Sequence, residues 1–144
     1  MIRDLDPEKD SPELFSRIES KFSKIDPEYT RSTWMKIIKA GMGKGFILCD
    51  DKTGKIKGGL GCIKAPSFWT EEIRAAEVFL YISPEERGGW GFYHLINAFH
   101  DWAKKEGCTK AIIMHYSDNQ PEELKRAYEK MGYELSELYY TRKI

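Results

Sequence analysis

The chain contains no apolar run approaching the roughly 20 residues needed to cross a bilayer, so no membrane-spanning helix is expected. It has no excess of either charge: 23 Lys and Arg stand against 23 Asp and Glu in 144 residues. A broad electrostatic grip on nucleic acid is therefore not expected. The first residues, Met1 to Asp6, lack the hydrophobic core of a signal peptide, and the expected compartment is the cytoplasm. Cysteine is sparse. Cys49, Cys62 and Cys108 are odd in number, widely spaced and without a Cys-x-x-Cys pair. One disulfide is open to them, but reduced thiols buried among apolar neighbours are the expectation. The three histidines, His94, His100 and His115, have no metal-ligand spacing with a cysteine or carboxylate frame. No Ser/His/Asp or Cys/His signature is present, and neither are repeats or low-complexity tracts. With 41% hydrophobic and 32% charged residues, what remains is one globular domain over residues 1–144.

One stretch organises that domain. Ala76 to Pro84 alternates as a strand, with Ala76, Val78, Leu80 and Ile82 on one face and Glu77, Phe79 and Tyr81 on the other. Arg87, Gly88, Gly89, Trp90, Gly91 and Phe92 follow, and then Leu95, Ile96, Phe99, Trp102 and Ala103 recur at helical spacing. A strand, a glycine turn with a cation, and a helix start make an anion site. The first N–H groups of a helix lack intrahelical partners and sit at the positive end of its dipole. Glycines let the backbone approach a phosphate, and Arg87 adds a bidentate donor. A phosphate-bearing cofactor is implied.

In chain order, Ile2 to Leu5 reads as a short strand. Asp10-Ser11-Pro12-Glu13 reads as a helix start, and Leu14, Phe15, Ile18, Phe22 and Ile25 form its apolar stripe. Asp26-Pro27-Glu28 opens a second helix through Tyr29, Trp34, Ile37 and Ile38 to the break at Gly41-Met42-Gly43. Trp34 and Tyr29 are candidates for a pocket wall or for the core. A strand over Gly45 to Cys49, a turn with Gly54 at positive φ, and a return strand over Ile56 to Lys64 make a hairpin. Gly58, Gly59 and Gly61 in the return strand mark bulges or close approach. Phe68 and Trp69, on the loop from Ala65 to Glu72, are either a lid or tucked beneath the sheet. After the central helix, Gly107 is a stop, and Lys110 to Tyr116 is a strand. Pro121 opens the last helix, which carries Leu124, Ala127, Tyr128 and Met131 and stops at Gly132. Short strands near Glu134–Leu135 and Leu138–Lys143 complete the chain.

The segment Arg87-Gly88-Gly89-Trp90-Gly91 resembles the central motif of the GNAT N-acetyltransferase superfamily, Arg/Gln-x-x-Gly-x-Gly/Ala, which holds the pyrophosphate of acetyl-CoA. Arg126 to Tyr133 is similar to that family's Tyr-x-Lys-x-Gly-Phe segment, and Glu137 to Lys143 resembles its closing strand. With Arg87 as the first position, the preferred frame, Trp90 and Phe92 stand where small residues are usual. A frame shifted by one puts Gly89 and Gly91 there and Glu86 in the cationic position. The resemblance covers about residues 45 to 144. It implies an α/β (α+β) fold with a mixed, mainly antiparallel sheet of six to seven strands and about four helices.

The activity implied is transfer of an acetyl group from acetyl-CoA directly to a primary amine, of a small molecule or a protein. Such a reaction needs a base to deprotonate the amine, an N–H group to polarise the carbonyl, and a proton donor for the thiolate. Glu77 is the candidate base, because apolar strand neighbours raise a carboxyl pKa by desolvation. Tyr81, on the same reading, shares its face. The resemblance assigns Tyr128 as the acid and the backbone near Ile82 and Ser83 to the pantetheine. It assigns Arg87 through Phe92 to the pyrophosphate, and Asn119 resembles an asparagine that touches pantetheine. A catalytically inactive CoA-binding or protein-interaction module with the same fold is the alternative. Tyr139 and Tyr140 offer an edge for a homodimer.

Overall fold

The computed structural model describes residues 1–18, 24–115 and 121–144, which fall into two compact units, Met1–Ile113 and Met114–Ile144. The first holds a five-stranded sheet in the order β1 (Ile2–Asp4), β2 (Gly43–Cys49), β3 (Ile56–Pro66), β4 (Ile73–Ile82), β5 (Lys110–Ile112). The first four strands are antiparallel neighbours, and β5 runs parallel to β4. Helices α1 (Pro7–Ser16) and α2 (Pro27–Lys39) precede β2, and α3 (Gly91–Lys105) joins β4 to β5. In the second unit, α4 spans Pro121–Lys130.

This mixed α/β architecture agrees with the expected fold, with fewer strands. Among the described residues there are five rather than six to seven. Residues 133–144 form no strand, and Leu135, Leu138, Tyr139 and Tyr140 lie exposed. Their spacing breaks the period of two that lets a strand bury one face. Similarly β5 ends at Ile112, short of the expected Tyr116; residues 116–120 lie outside the described residues.

The first helix starts earlier than expected. Asp6 accepts the N–H groups of Glu8 and Lys9, so Pro7 sits at the first helical position and Pro12 inside the helix. Asp10, expected as the cap, is instead buried. It takes a two-pronged bond from Arg3 at 2.8 Å and the N–H of Asp6 at 2.8 Å. Arg17 closes the helix, its N–H on the Leu14 carbonyl, so the apolar stripe stops there. Ile18 and Ile25 pack from outside the helix, and Phe22 lies outside the described residues. The start of α2 matches its expectation, with Asp26 accepting from Glu28 and Tyr29.

Gly41, Gly107 and Gly132 each end a helix at positive φ, as the stop signals implied. After α2, Met42 N–H reaches Ile37 and Gly41 N–H reaches Ile38; the same paired bonds recur after α3 and α4. One face of the sheet packs Leu14, Phe15 and Trp34 against Ile47, Cys49 and Ile56. On the other, α3 buries Leu95, Ile96, Phe99 and Ala103 and packs against β2, β3 and β4.

Candidate functional site

The site is built around β4, which is not a regular strand. Gly61 pairs with Phe79 and Cys62 with Glu77, so Val78 is an extra residue with no partner on β3. That bulge slips the alternation by one and overturns the expected grouping of Glu77 with Phe79 and Tyr81. Phe79 meets Phe15 at 5.3 Å and Trp34 at 5.5 Å, both edge-on, and Tyr81 joins the same helix-packed cluster. Glu77 lies across from Cys62, whose thiol reaches the Lys44 carbonyl at 3.3 Å. Val78 is half exposed, while Glu77 is 4% exposed. Glycine at 61 is required here, because a Cβ would strike the Phe79 and Trp34 rings.

Burial and then the neighbouring Glu77 charge push the Cys62 thiol up to about 12. A thiol so held stays protonated and is not a nucleophile. Burial likewise raises the Cys108 thiol. All three cysteines are free, and Cys49 and Cys62 are buried packing groups, as expected.

Beyond the bulge, among the described residues, the outer edge of β4 is open: β5 pairs with Arg74, Ala75 and Ala76, and no described strand pairs that edge from Val78 to Ile82. A ligand bearing amides can complete such an edge as an added strand. The strand ends at Ile82, and Ser83 just beyond it is 2% exposed, its N–H bonding the Lys57 carbonyl at 2.8 Å. Its hydroxyl is buried without a hydrogen-bond partner among the described residues.

The chain next makes a single 3-10 turn over Pro84–Glu86, braced by Lys57, which contacts Glu86 at 3.1 Å and Asp50 at 3.8 Å. Arg87 spends one of its five N–H donors on the Ile82 carbonyl at 3.2 Å. Gly88 has φ +84, open only to glycine at low cost. Gly91 is restricted for a different reason, since a Cβ there would run into Leu48 on β2. Trp90 and Phe92 are accommodated beside it. The intrahelical ladder begins with His94 N–H on the Trp90 carbonyl at 3.0 Å. The first turn has no acidic residue and receives no side-chain cap from Trp90.

Tyr128, in the second unit, is 7% exposed, and its hydroxyl donates to the Met114 carbonyl at 3.3 Å. Its ring meets His115 at 5.8 Å and Tyr133 at 5.9 Å, the latter across the helix stop at Gly132. Asn119 lies outside the described residues. Trp34 is core, whereas Tyr29 is 70% exposed. Phe68 and Trp69 are exposed on a loop closed by Ser67 N–H on the Glu72 carbonyl, so they are not tucked under the sheet. Burial, then Lys104, holds His100 below the usual histidine range. Sequence reasoning missed the bulge and with it the Cys62–Glu77 pairing. Gly61 was the signal available, and it marked the opposite strand.

The geometry thus sets a buried carboxylate beside an open strand edge, followed by a glycine turn and a helix start without a side-chain cap. The chain belongs to the acetyltransferase (GNAT) family, whose model matches residues 11–133. No curated protein sequence matches it. Among solved structures it is similar to glucosamine-6-phosphate N-acetyltransferase from Arabidopsis thaliana, with 19% identity, TM-score 0.78 and 99% of this chain and 97% of that one covered. It is similar as well to an aminoglycoside 6'-N-acetyltransferase from Acinetobacter haemolyticus, with 18% identity, TM-score 0.75 and coverage of 100% and 99%. A transcriptional regulator from Bacillus halodurans C-125 matches at 19% identity and TM-score 0.80, over 100% and 99%. Among the described residues no helix is long and apolar enough to cross a membrane, and no cluster of three metal-ligating side chains occurs.

Proposed function

We propose that the chain transfers an acetyl group from acetyl-CoA directly to a primary amine. The observation that carries this reading is Glu77, buried at the β4 bulge where the outer strand edge opens. Acetyl-CoA supplies an acyl group already activated as a thioester. The open edge from Val78 through Ile82, with Ser83, would align its pantetheine amides. The turn from Arg87 to Phe92 and the first N–H groups of α3 would hold its pyrophosphate. The residues fit that group: the turn is glycine-rich, its helix start carries no acid, and Arg87 retains N–H donors.

Glu77 takes the proton from the incoming ammonium, directly or through water, so that a neutral amine attacks the carbonyl carbon. The backbone disrupted at Val78 supplies an N–H group toward the developing oxyanion. As the carbon–sulfur bond breaks, the attacking nitrogen releases its second proton to water, and the departing sulfur takes a proton from Tyr128, the donor the family resemblance assigns, which water then reprotonates. Alignment of the two reactants removes a large part of the entropic barrier. An amine acceptor is favoured by the two similar structures named for acetylating glucosamine-6-phosphate and aminoglycosides. The second reading, a non-catalytic module, is favoured by one observation, the bulky exposed Trp90 within the phosphate turn.

Isothermal titration with acetyl-CoA, on the wild type and Arg87→Ala, tests the reading. Micromolar binding weakened by the substitution, followed by turnover in an amine screen, supports it. Binding without turnover of any amine moves the assignment to the non-catalytic module, and absence of binding removes the donor site altogether.

A further inference from the structure

We propose that Trp90 is a stacking platform for the adenine base of the acyl donor, so that this protein discriminates a nucleotide-bearing thioester from a bare phosphopantetheine thioester. This rests on the donor reading above and deepens it. Trp90 is 75% exposed, although it belongs to the same short segment that buries Leu95, Ile96 and Phe99 completely. Its backbone is fixed. It is helical at φ −74° and ψ −17°, its carbonyl is bonded by His94, and the next residue, Gly91, is seated against Leu48. Tyr93 braces the indole at 5.9 Å with a 53° tilt, and Phe92 stands edge-on to Tyr93 at 5.2 Å. A large aromatic is thus held out to solvent by an ordered support, which spares a ligand the cost of ordering it.

The neighbourhood says what it is for. Near it in the chain Arg87, Gly88, Gly89 and His94 are exposed and polar or side-chain-free, and Phe92 and Tyr93 are half-buried, so Trp90 is the one exposed apolar ring of this segment. A stable protein partner needs roughly 800 Å² from each side, whereas one ring suits one base. In a nucleotide thioester only a ribose separates the base from the pyrophosphate, and the turn proposed to hold that pyrophosphate is the turn that carries Trp90. Stacking of a base on an aromatic side chain is tolerant of geometry and is lost on truncation to alanine.

The test titrates acetyl-CoA and S-acetyl-4'-phosphopantetheine separately into the wild type, Trp90→Ala and Trp90→Phe, with thermal melts confirming that the variants are folded. Trp90→Ala should weaken acetyl-CoA binding about 5- to 150-fold and leave the truncated thioester unchanged, with Trp90→Phe in between. Adenosine 3',5'-bisphosphate should displace acetyl-CoA from the wild type and do so poorly from Trp90→Ala. If acetyl-CoA binds the wild type and Trp90→Ala equally well, the platform is wrong and the donor reading stands. Equal loss for both thioesters overturns it too, because Trp90 would then only shape the turn. A wild type that binds neither thioester sinks the platform and the donor site together.

Discussion

The helices of the first unit begin in two different ways. Asp6 and Asp26, both in extended backbone, each turn a carboxylate onto two N–H groups of the helix they open. Trp90, already helical, offers α3 no side-chain cap. The strands divide in the same manner: among the described residues β2 and β3 are paired on both edges, while β4 beyond Glu77 is paired on one. Closed ends hold a fold together, and open ends are where a ligand completes the hydrogen bonding. Both openings fall on the chain between Glu77 and Phe92. Substitutions there should change binding and turnover with little effect on stability, and substitutions at the closed side should do the reverse.

The largest effect expected is on the open side. Glu77→Gln keeps the shape and removes the base, so kcat/KM should fall about 10²- to 10⁴-fold while acetyl-CoA affinity holds. Steady-state kinetics beside direct titration separates the two. Undiminished turnover would return Glu77 to the role of a buried structural carboxylate. On the closed side, Trp34→Ala empties the site over Phe79 and Gly61 of the sheet and should cost about 3–5 kcal/mol in chemical denaturation. The folded fraction should still bind the donor. A matching loss of donor affinity would show that the two sides are coupled.

These contrasts were only partly legible in the sequence. Glycine stops, the hairpin turn at Gly54 and the strand–turn–helix at Ile82 to Gly91 depend on local backbone rules, and they were read correctly. Asp26-Pro27-Glu28 opens α2 as expected, yet the same triplet at Asp6-Pro7-Glu8, and not Asp10, opens α1. Arg3 decides that competition by claiming the Asp10 carboxylate, and a pairing between strand and helix is invisible to local pattern. The bulge is a subtler case. Alternation assigns faces only when no residue is inserted, and Val78 looks like any strand valine. Its consequence, Glu77 facing Cys62 instead of sharing the Phe79 side, is set by register with β3.

Acid gives a smaller effect on the closed side. Burial pushes the Asp10 carboxyl up, but the Arg3 guanidinium and the Asp6 N–H outweigh it and hold it below its ordinary value. A depressed pKa contributes stability above the unfolded value, about pH 4, and loses it as pH falls through the folded one. Asp10→Asn should therefore cost about 1.5–3 kcal/mol at neutral pH, toward the lower end because Arg3 is partly exposed. The gap from wild type should narrow below pH 4. Denaturation midpoints across pH 2 to 7 check this, and a constant gap would mean that packing, not charge, explains the loss.

The smallest energies provide the sharpest test of the two helix starts. Asp26→Ala removes two accepted N–H bonds and should cost about 1 kcal/mol of stability, with donor affinity unaltered. Trp90→Asp runs the exchange in reverse. Because residue 90 is already helical, the new carboxylate acts through the helix dipole and should stabilise α3 by only about 0.3–1 kcal/mol. It would also place a negative charge where the pyrophosphate is proposed to sit, so acetyl-CoA binding should fall further than in Trp90→Ala. Melting curves and titrations on the three variants should move in opposite directions: less stable but binding for Asp26→Ala, as stable or more so but non-binding for Trp90→Asp. If Trp90→Asp binds no worse than Trp90→Ala, the start of α3 is not an anion site, and its missing cap is a structural accident.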